Sequence, residues 1–461
     1  MFSLLQNMVG RFAVSAGMNA EQLSALLIGS LFLLMIIGLV AGQELAFVLG
    51  GSGVIIGVIA WGDAGLSIAM TKIFDQMQSY AMVAIPMFVL MANFLTHSKV
   101  ADGLFLSIRY LLGPLKGGLG LAVIVVSTIF AATTGIVGAS VVTMGMLSIP
   151  ILLRCGYNHS LAAGMVCAGG SLGILIPPSI MLVTMGSYAE VSVGKLFFAA
   201  LVPGLLLSLC YAVYIMVICH IHPDYGPAMS PEELAEMPMK ERVKGSLINL
   251  IPPLLLIFGV LGSIFSGIAT PTEAAGVGAL VSLLLAIFYK QFSWKMLYDS
   301  VIDTAKTSSM VFIILFGAAA FTGIFMSLDG DKIVTNMVMG MGVGKIGAIA
   351  IMMVIVFIMG MFIDWAGIVM IVLPIFLPIM DQFGVDRLWL VGVTAVILQT
   401  CFMTPPFGFA LFYIKGIVPE SVTIQEIYRG VIPFIIIIVI VTILCIAFPQ
   451  LVVGLPTMVS G

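Results

Sequence analysis

The chain has 461 residues, 61% of them hydrophobic and only 8% charged, with a mean hydropathy of +1.23; a soluble domain carries about 25% charged residues. With so little charge, lipid must solvate most of the surface. The net charge of −3, from 18 basic and 21 acidic residues, supplies no basic stripe for nucleic-acid phosphates.

Residues 1–22 are mixed and weakly amphipathic, with Arg11 and Glu21, and the apolar run 23–41 is long enough to span by itself. This predicts a retained first helix and no cleaved signal. Further apolar runs follow at 46–61, 80–95, 119–132, 161–176, 196–218, 247–265, 274–289, 310–326, 346–363, 388–402 and 431–448. Segments 135–153 and 405–417 read as too short or too interrupted to cross about 30 Å as one helix. Broken backbone at membrane depth survives only where protein buries it or where it lines a cavity.

A polar stretch, 222–244, divides the chain. It holds Pro223, Pro227, Pro231 and Pro238 with eight charged side chains, and predicts an extramembrane linker between two halves. Those halves repeat. Adding 228 to Pro150, Gly156, Gly164, Pro177 and Pro178 gives Pro378, Gly384, Gly392, Pro405 and Pro406 without a gap, and Pro203 pairs with Pro433 after a slip of two. Glycine and proline mark backbone breaks and close approaches, so this coincidence concerns geometry more than greasiness.

Paired, Gly/Pro-interrupted apolar segments in matching positions are a pointer to a transport site. Here AATTGIVGAS (131–140) returns as GGSLGILIPPS (169–179), and GMFIDWAG (360–367) returns as CFMTPPFG (401–408). Two consecutive prolines delete two backbone donors and release carbonyls a turn earlier. Thr133, Thr134, Ser140, Ser171, Ser179 and Thr404 lie beside the breaks and can add hydroxyl oxygens. Such a cage suits Na⁺, while half-helix N-termini suit an anion. The competing reading is a plain kink with hydroxyls bonded back into their own helices.

Asp364 ends one apolar run and starts another, as a cation or proton ligand or as an interfacial N-cap. Glu273, in ATPTEAAG (269–276), fits a capping box with proline at the first helical position. Arg154 and Arg387 flank the repeated turn and suit interfacial anchoring better than gripping a carboxylate. The six cysteines show neither CxxC nor Cys/His spacing and read as small packing residues. GMGVGKIG (340–347) is not a phosphate loop, because Met339 and Ile346 stand where glycine and Ser/Thr are required. No ATP hydrolysis and no enzyme active site is encoded by any motif present.

The strings TTGIVGAS, RCGYNHSLAAGMVCAGGSLGILIPPS, GIATPTEAAG, MFIDWAGIVMIVLPIFLPI and TPPFGFALFYIKG resemble the large membrane subunit of the tripartite ATP-independent periplasmic (TRAP) transporters, over about residues 25–450. The resemblance implies an all-α polytopic inner-membrane protein with inverted repeats and two re-entrant hairpins, a scaffold and an elevator-type transport domain. It implies N-terminal scaffold helices at 1–118, a first transport repeat at 119–220, a linker at 221–246, second-half scaffold helices at 247–345 and a second transport repeat at 346–461. Carried over by motif, Thr134, Gly135, Gly138 and Ser140 form the first hairpin tip, facing Pro177, Pro178 and Ser179. Asp364 lies near the second tip, with Thr404, Pro405, Pro406 and Gly408 in its matching break. Of these, Thr134, Ser140, Pro177, Ser179, Asp364 and Thr404 are the expected Na⁺ ligands.

The function implied is Na⁺-driven uptake of a small organic anion: a carboxylate, 2-oxo acid, C4-dicarboxylate or sulfonate. The partners implied are a periplasmic binding protein and a small four-helix membrane subunit, expected as a separate polypeptide because residues 1–22 are too few for four helices. Trp365 follows Asp364 where sialic-acid and many C4-dicarboxylate branches carry proline, and FIDW resembles branches associated with 2-oxo acids or other monoanions. An autonomous ion-coupled carrier is the main rival. A channel would want a symmetric ring of filter segments, and a purely structural role needs no paired breaks.

Overall fold

The computed structural model describes residues 19–459, so the reading of 1–18 lies outside the described residues. Among the described residues all regular structure is helical. The helices are α1 (Ala20–Val40), α2 (Leu45–Trp61), α3 (Asp63–Met77), α4 (Ala84–His97), α5 (Val100–Leu112), α6 (Gly118–Thr134), α7 (Val137–Arg154), α8 (His159–Ser171), α9 (Ile180–Tyr188), α10 (Val193–Ile221) and α11 (Pro231–Ala235). In the second half follow α12 (Met239–Phe265), α13 (Pro271–Phe288), α14 (Trp294–Ser327), α15 (Gly330–Gly340), α16 (Lys345–Gly360), α17 (Trp365–Gln382), α18 (Arg387–Ile397), α19 (Phe409–Lys415), α20 (Ile424–Ala447) and α21 (Gln450–Val459).

By length and composition, eight described helices suffice to cross a membrane, or nine if α4 and α5, bent by 58° at Ser98–Lys99, count as one span. One expectation is corrected here: α7 is a single 18-residue helix despite Pro150. Pro150 removes one backbone bond, to the carbonyl four residues back, and the helix runs on through it to Arg154.

The chain divides into two units. The first comprises residues 1–82, 307–356 and 363–387. Small residues let its helices approach closely: a Cβ on Gly53 would lie 3.0 Å from the Phe321 backbone, and one on Gly50 would lie 3.3 Å from Gly317 Cα. Phe32 meets the edges of Phe321 and Phe325 at centroid distances of 5.5 and 6.0 Å. The Thr322 hydroxyl donates to the carbonyls of Ala318 and Met370 at 2.7 and 3.2 Å.

The second unit comprises residues 83–306, 357–362 and 388–461. Its centre is α8, fully buried from Leu161 to Ser171, which packs against α6, α7 and α20. The contact with α20 is glycine on glycine, Gly164 against the Gly430 carbonyl, and any side chain there would collide with main chain. Tyr211 of α10 meets Phe434 of α20 edge-on at 5.2 Å.

The sequence repeat has structural counterparts. Pro150 lies inside α7 and Pro378 inside α17. Gly156 and Gly384 both take left-handed backbone just past those helices, with φ of 79° and 62°, a C-terminal stop that only glycine adopts readily. After α8 comes a 3-10 turn, Leu172–Ile174, then Pro177–Pro178 and α9. After α18 comes a 3-10 turn, Leu398–Phe402, then Pro405–Pro406 and α19. Both Pro–Pro peptide bonds are cis.

Candidate functional site

Helices α6 and α7 form a helical hairpin joined by Gly135 and Ile136 alone. Gly135 turns the chain with φ of +63°, and its N–H reaches the Ala131 carbonyl at 3.3 Å; Ile136 is extended, and α7 starts at Val137. A side chain at Gly135 would be strained by the positive φ. Its Cβ would also stand 3.0 Å from the Pro178 carbonyl oxygen. The hairpin tip therefore rests on the first break.

Two hydroxyls meet behind that tip. Thr134 Oγ1 and Ser140 Oγ are 2.7 Å apart, both almost completely buried. Thr134 Oγ1 also donates to the Phe130 carbonyl at 3.1 Å. Ser140 is then the donor within the pair, and its own lone pairs stay available as acceptors. Gly173 of the first break approaches both: a Cβ there would be 3.2 Å from Ser140 Oγ and 3.6 Å from Thr134 Oγ1 and from the Ile136 carbonyl.

The break itself is held open by a side chain. Leu175 and Ile176 N–H both turn to the Leu172 carbonyl, at 3.0 and 2.9 Å, and Pro177 and Pro178 donate nothing. The Ser179 hydroxyl donates to the Ile174 carbonyl and accepts from Leu182 N–H at 3.3 Å. It thus closes the end of one half-helix and caps the start of the next.

The second break uses other chemistry. Thr404 N–H and hydroxyl both donate to the Thr400 carbonyl, at 2.8 and 2.6 Å. Gly408 N–H returns to the Thr404 carbonyl at 3.1 Å, and Gly408 precedes α19 without any side-chain cap. The Phe407 ring is tilted against that of Phe362 at a centroid distance of 6.3 Å, and a Cβ on Gly360 would stand 2.9 Å from Cys401 Cβ. Helix α19 packs on α7 and α8: the Tyr413 ring lies 3.1 Å from where a Gly138 Cβ would be, and Cys167 Sγ is 3.6 Å from the Ala410 carbonyl.

Thirteen of the fourteen expected site residues thus fall in the second unit, and Thr134, Gly135, Ser140 and Pro178 converge there. Thr133 and Ser171 bond back to the Phe130 and Ala168 carbonyls, at 2.6 and 2.9 Å. Asp364 falls in the first unit, as the half-buried N-cap of α17 with no side-chain capping bond. Glu273 is fixed by the capping box: its Oε2 accepts from Thr270 N–H at 2.8 Å, and its own N–H donates to Thr270 Oγ1 at 3.3 Å. Arg387 is committed to Asp381, Nη2 to Oδ2 at 2.6 Å and Nε to Oδ1 at 3.0 Å. Among the described residues no disulfide forms, and no three His, Cys, Asp or Glu side chains cluster as a metal site.

Two residues escaped the sequence reading. Gly173 was readable as the third glycine of GGSLG, at the level of the hydroxyls. Gln399 was readable as the lone amide in an apolar run: it is fully buried, its Nε2 donates to the Ala395 carbonyl at 3.3 Å, and its Oε1 has no partner among the described residues.

The family model for the DctM component of tripartite ATP-independent periplasmic transporters matches residues 28–451. The chain belongs to this family. Relatives of this DctM-type chain include the C4-dicarboxylate TRAP transporter large permease protein DctM of Pseudomonas aeruginosa, 32% identical over 88% of this chain and 93% of that protein. The isethionate TRAP transporter permease protein DctMQ of Oleidesulfovibrio alaskensis is 31% identical over 86% of this chain and 61% of that protein. In fold, this DctM-type chain matches the crystal structure of the Alcanivorax borkumensis YdaH transporter with a TM-score of 0.60 at 13% identity, over 92% of this chain and 99% of that one. The chain is therefore a multi-pass membrane permease, of a family of transporters and not of enzymes. That family works with a small membrane subunit and a periplasmic binding protein.

Proposed function

We propose that this chain is the translocating subunit of a Na⁺-coupled, binding-protein-dependent uptake system for a small organic anion in the bacterial inner membrane. The observation that carries this reading is the oxygen cluster at the first hairpin tip. Ser140 Oγ with its unclaimed lone pairs lies 2.7 Å from Thr134 Oγ1, and the Pro178 carbonyl faces the adjoining Gly135 turn, where a side chain would find no room. Neutral oxygens of this kind suit a hard monovalent cation, and the restart of α9 beside them turns backbone N–H groups toward an anion.

In this reading α6–α7 is a re-entrant hairpin whose Gly135 tip stops inside the bilayer against the first break. The second hairpin, around Asp364, is the sequence counterpart of α6–α7, the break at Thr404–Gly408 is the counterpart of the first break, and the two repeats move as an elevator. The substrate belongs with the carboxylates and sulfonates that the named relatives carry. Lys116 precedes α6, Arg154 ends α7 and Arg242 bonds the Tyr110 carbonyl, and in this reading the positive-inside rule turns that end to the cytoplasm.

The test uses the cation alone before any substrate is known. In nanodiscs, NaCl should raise the unfolding temperature over equimolar choline chloride or KCl, and Ser140→Ala with Thr134→Val should remove the increment. Equal stabilisation by all three salts would overturn Na⁺ binding. Uptake of succinate and isethionate into proteoliposomes, with and without the binding protein, then separates the tripartite system from an autonomous carrier.

A further inference from the structure

The polar stretch between the halves is folded, and its bonds go to two places. Main-chain bonds run from Gly117 N–H to the Gly226 carbonyl at 2.8 Å, from Asn158 N–H to the Tyr225 carbonyl at 3.0 Å, and from Met229 N–H to the Gly113 carbonyl at 2.9 Å. Gly113 and Gly117 lead into α6, and Asn158 follows α7. The stretch therefore touches both arms of the hairpin at its base. Cys155, just past α7, holds its Sγ 4.0 Å from Glu233 Oε1, and Tyr157 is buried with its ring 3.0 Å from where a Gly226 Cβ would stand.

A side-chain network holds the stretch in place. Tyr110, in the last turns of α5, donates its hydroxyl to Glu236 Oε2 at 2.7 Å and accepts from Arg109 Nη2 at 2.9 Å. The Arg109 guanidinium lies over the Tyr110 ring at 4.6 Å. Arg242, in the first turn of α12, donates to three carbonyls: Met237 at 2.6 Å, Tyr110 at 3.4 Å, and Leu234. A charged guanidinium spread over three main-chain acceptors is stronger than a neutral bond. It fastens the end of the stretch to α5 irrespective of side-chain identity at the acceptors.

We propose that residues 223–242 are a clasp that holds the base of α6–α7 shut, with Tyr110, Glu236 and Arg242 as positioning residues acting through Gly117 and Asn158. Because the base is fixed, opening of the hairpin is confined to the Gly135 end. The distance from the Thr134–Ser140 pair to Pro178 is then set from the linker, about 25 Å away along the arms. The functional part of this inference rests on the Na⁺ reading above; the clasp itself does not.

The deciding measurement is hydrogen exchange on the full chain in nanodiscs in choline chloride, where no Na⁺ is present. Arg242→Ala should speed exchange of the 113–117 and 155–161 amides about tenfold, the scale of one to two lost hydrogen bonds, with the 131–140 tip following more weakly. Tyr110→Phe, a milder change that keeps the ring, should give a smaller rise at the same amides, and Arg242→Lys should recover part of the protection. Exchange at 113–117 and 155–161 unchanged in both Arg242→Ala and Tyr110→Phe would overturn the clasp. A Na⁺ titration adds a readout that mere loss of fold would not give: the midpoint rises several-fold in Arg242→Ala while the maximal stabilisation stays near wild type. Failure of the Na⁺ reading shows up instead as a wild type indifferent to Na⁺, with the exchange result standing.

Discussion

The two breaks share a backbone and differ in chemistry. Around Pro177–Pro178 everything is buried, a serine caps the new half-helix, and a pair of hydroxyls stands beside a glycine. Around Pro405–Pro406 the second proline and Phe407 are exposed, a bare glycine precedes the new half-helix, and the threonine hydroxyl is spent on its own turn. The difference teaches that duplication fixes where helical hydrogen bonding stops, while the few side chains at the stop decide what can bind there. The first break presents buried hydroxyl and carbonyl oxygens; the second offers fewer side-chain oxygens and more surface.

The largest effect that tests this comparison is steric. Gly164→Ala places a methyl on the Gly430 carbonyl, and main chain cannot retreat; its repeat counterpart Gly392→Ala meets the side chain of Val452, which can rotate. Thermal unfolding in nanodiscs should show Gly164→Ala losing about 3 kcal/mol or failing to fold, and Gly392→Ala losing less than about 1.5 kcal/mol. The opposite order would mean that the first series is not the tighter one.

Next is the ion. Ser140→Ala should raise the Na⁺ midpoint about tenfold, equivalent to about 1.4 kcal/mol, whereas Thr404→Val should move it less than about threefold, since that hydroxyl already serves Thr400. Equal effects would erase the distinction between the breaks. Smaller again is the cap: Ser179→Ala should cost about 1 kcal/mol, with Ser179→Thr recovering most of it in the same unfolding assay. Smallest is Arg387→Ala, which opens a part-exposed pair with Asp381. It should cost less than about 1 kcal/mol and leave the Na⁺ midpoint where it was.

The repeat was legible because glycine and proline write geometry directly into sequence, and Pro150, Gly156 and Pro177 each have a structural counterpart 228 residues on. The prolines alone were not sufficient. A third Pro–Pro pair, Pro252–Pro253, sits inside the continuous helix α12. What separates it is the flank: Ser179 can cap a new helix and Gly408 can turn sharply, whereas Leu254 does neither. The hydroxyls beside the first break were legible as a set, yet their division into a facing pair (Thr134, Ser140) and back-bonded ones (Thr133, Ser171) depends on tertiary approach that no spacing reveals. The same holds for Gly173, whose lack of a side chain matters only because the hairpin tip comes down on it. The continuity of α7 is not legible from Pro150, because one proline costs a helix a single backbone bond and packing against α8 is written elsewhere in the chain.

The attachment of the linker through the carbonyls of Tyr225 and Gly226 has an evolutionary corollary. Contacts made by main chain are indifferent to side-chain identity, so apart from Gly226, whose Cβ would meet Cys219 Sγ and the Tyr157 ring, and buried Met229, this stretch can drift in sequence while its course stays put. Length is what it cannot surrender: removing one residue between Gly226 and Met229 would shift the carbonyls against Gly117 and Asn158 out of step with the amide that meets Gly113. Selection on this segment should therefore act on insertions and deletions far more than on substitutions.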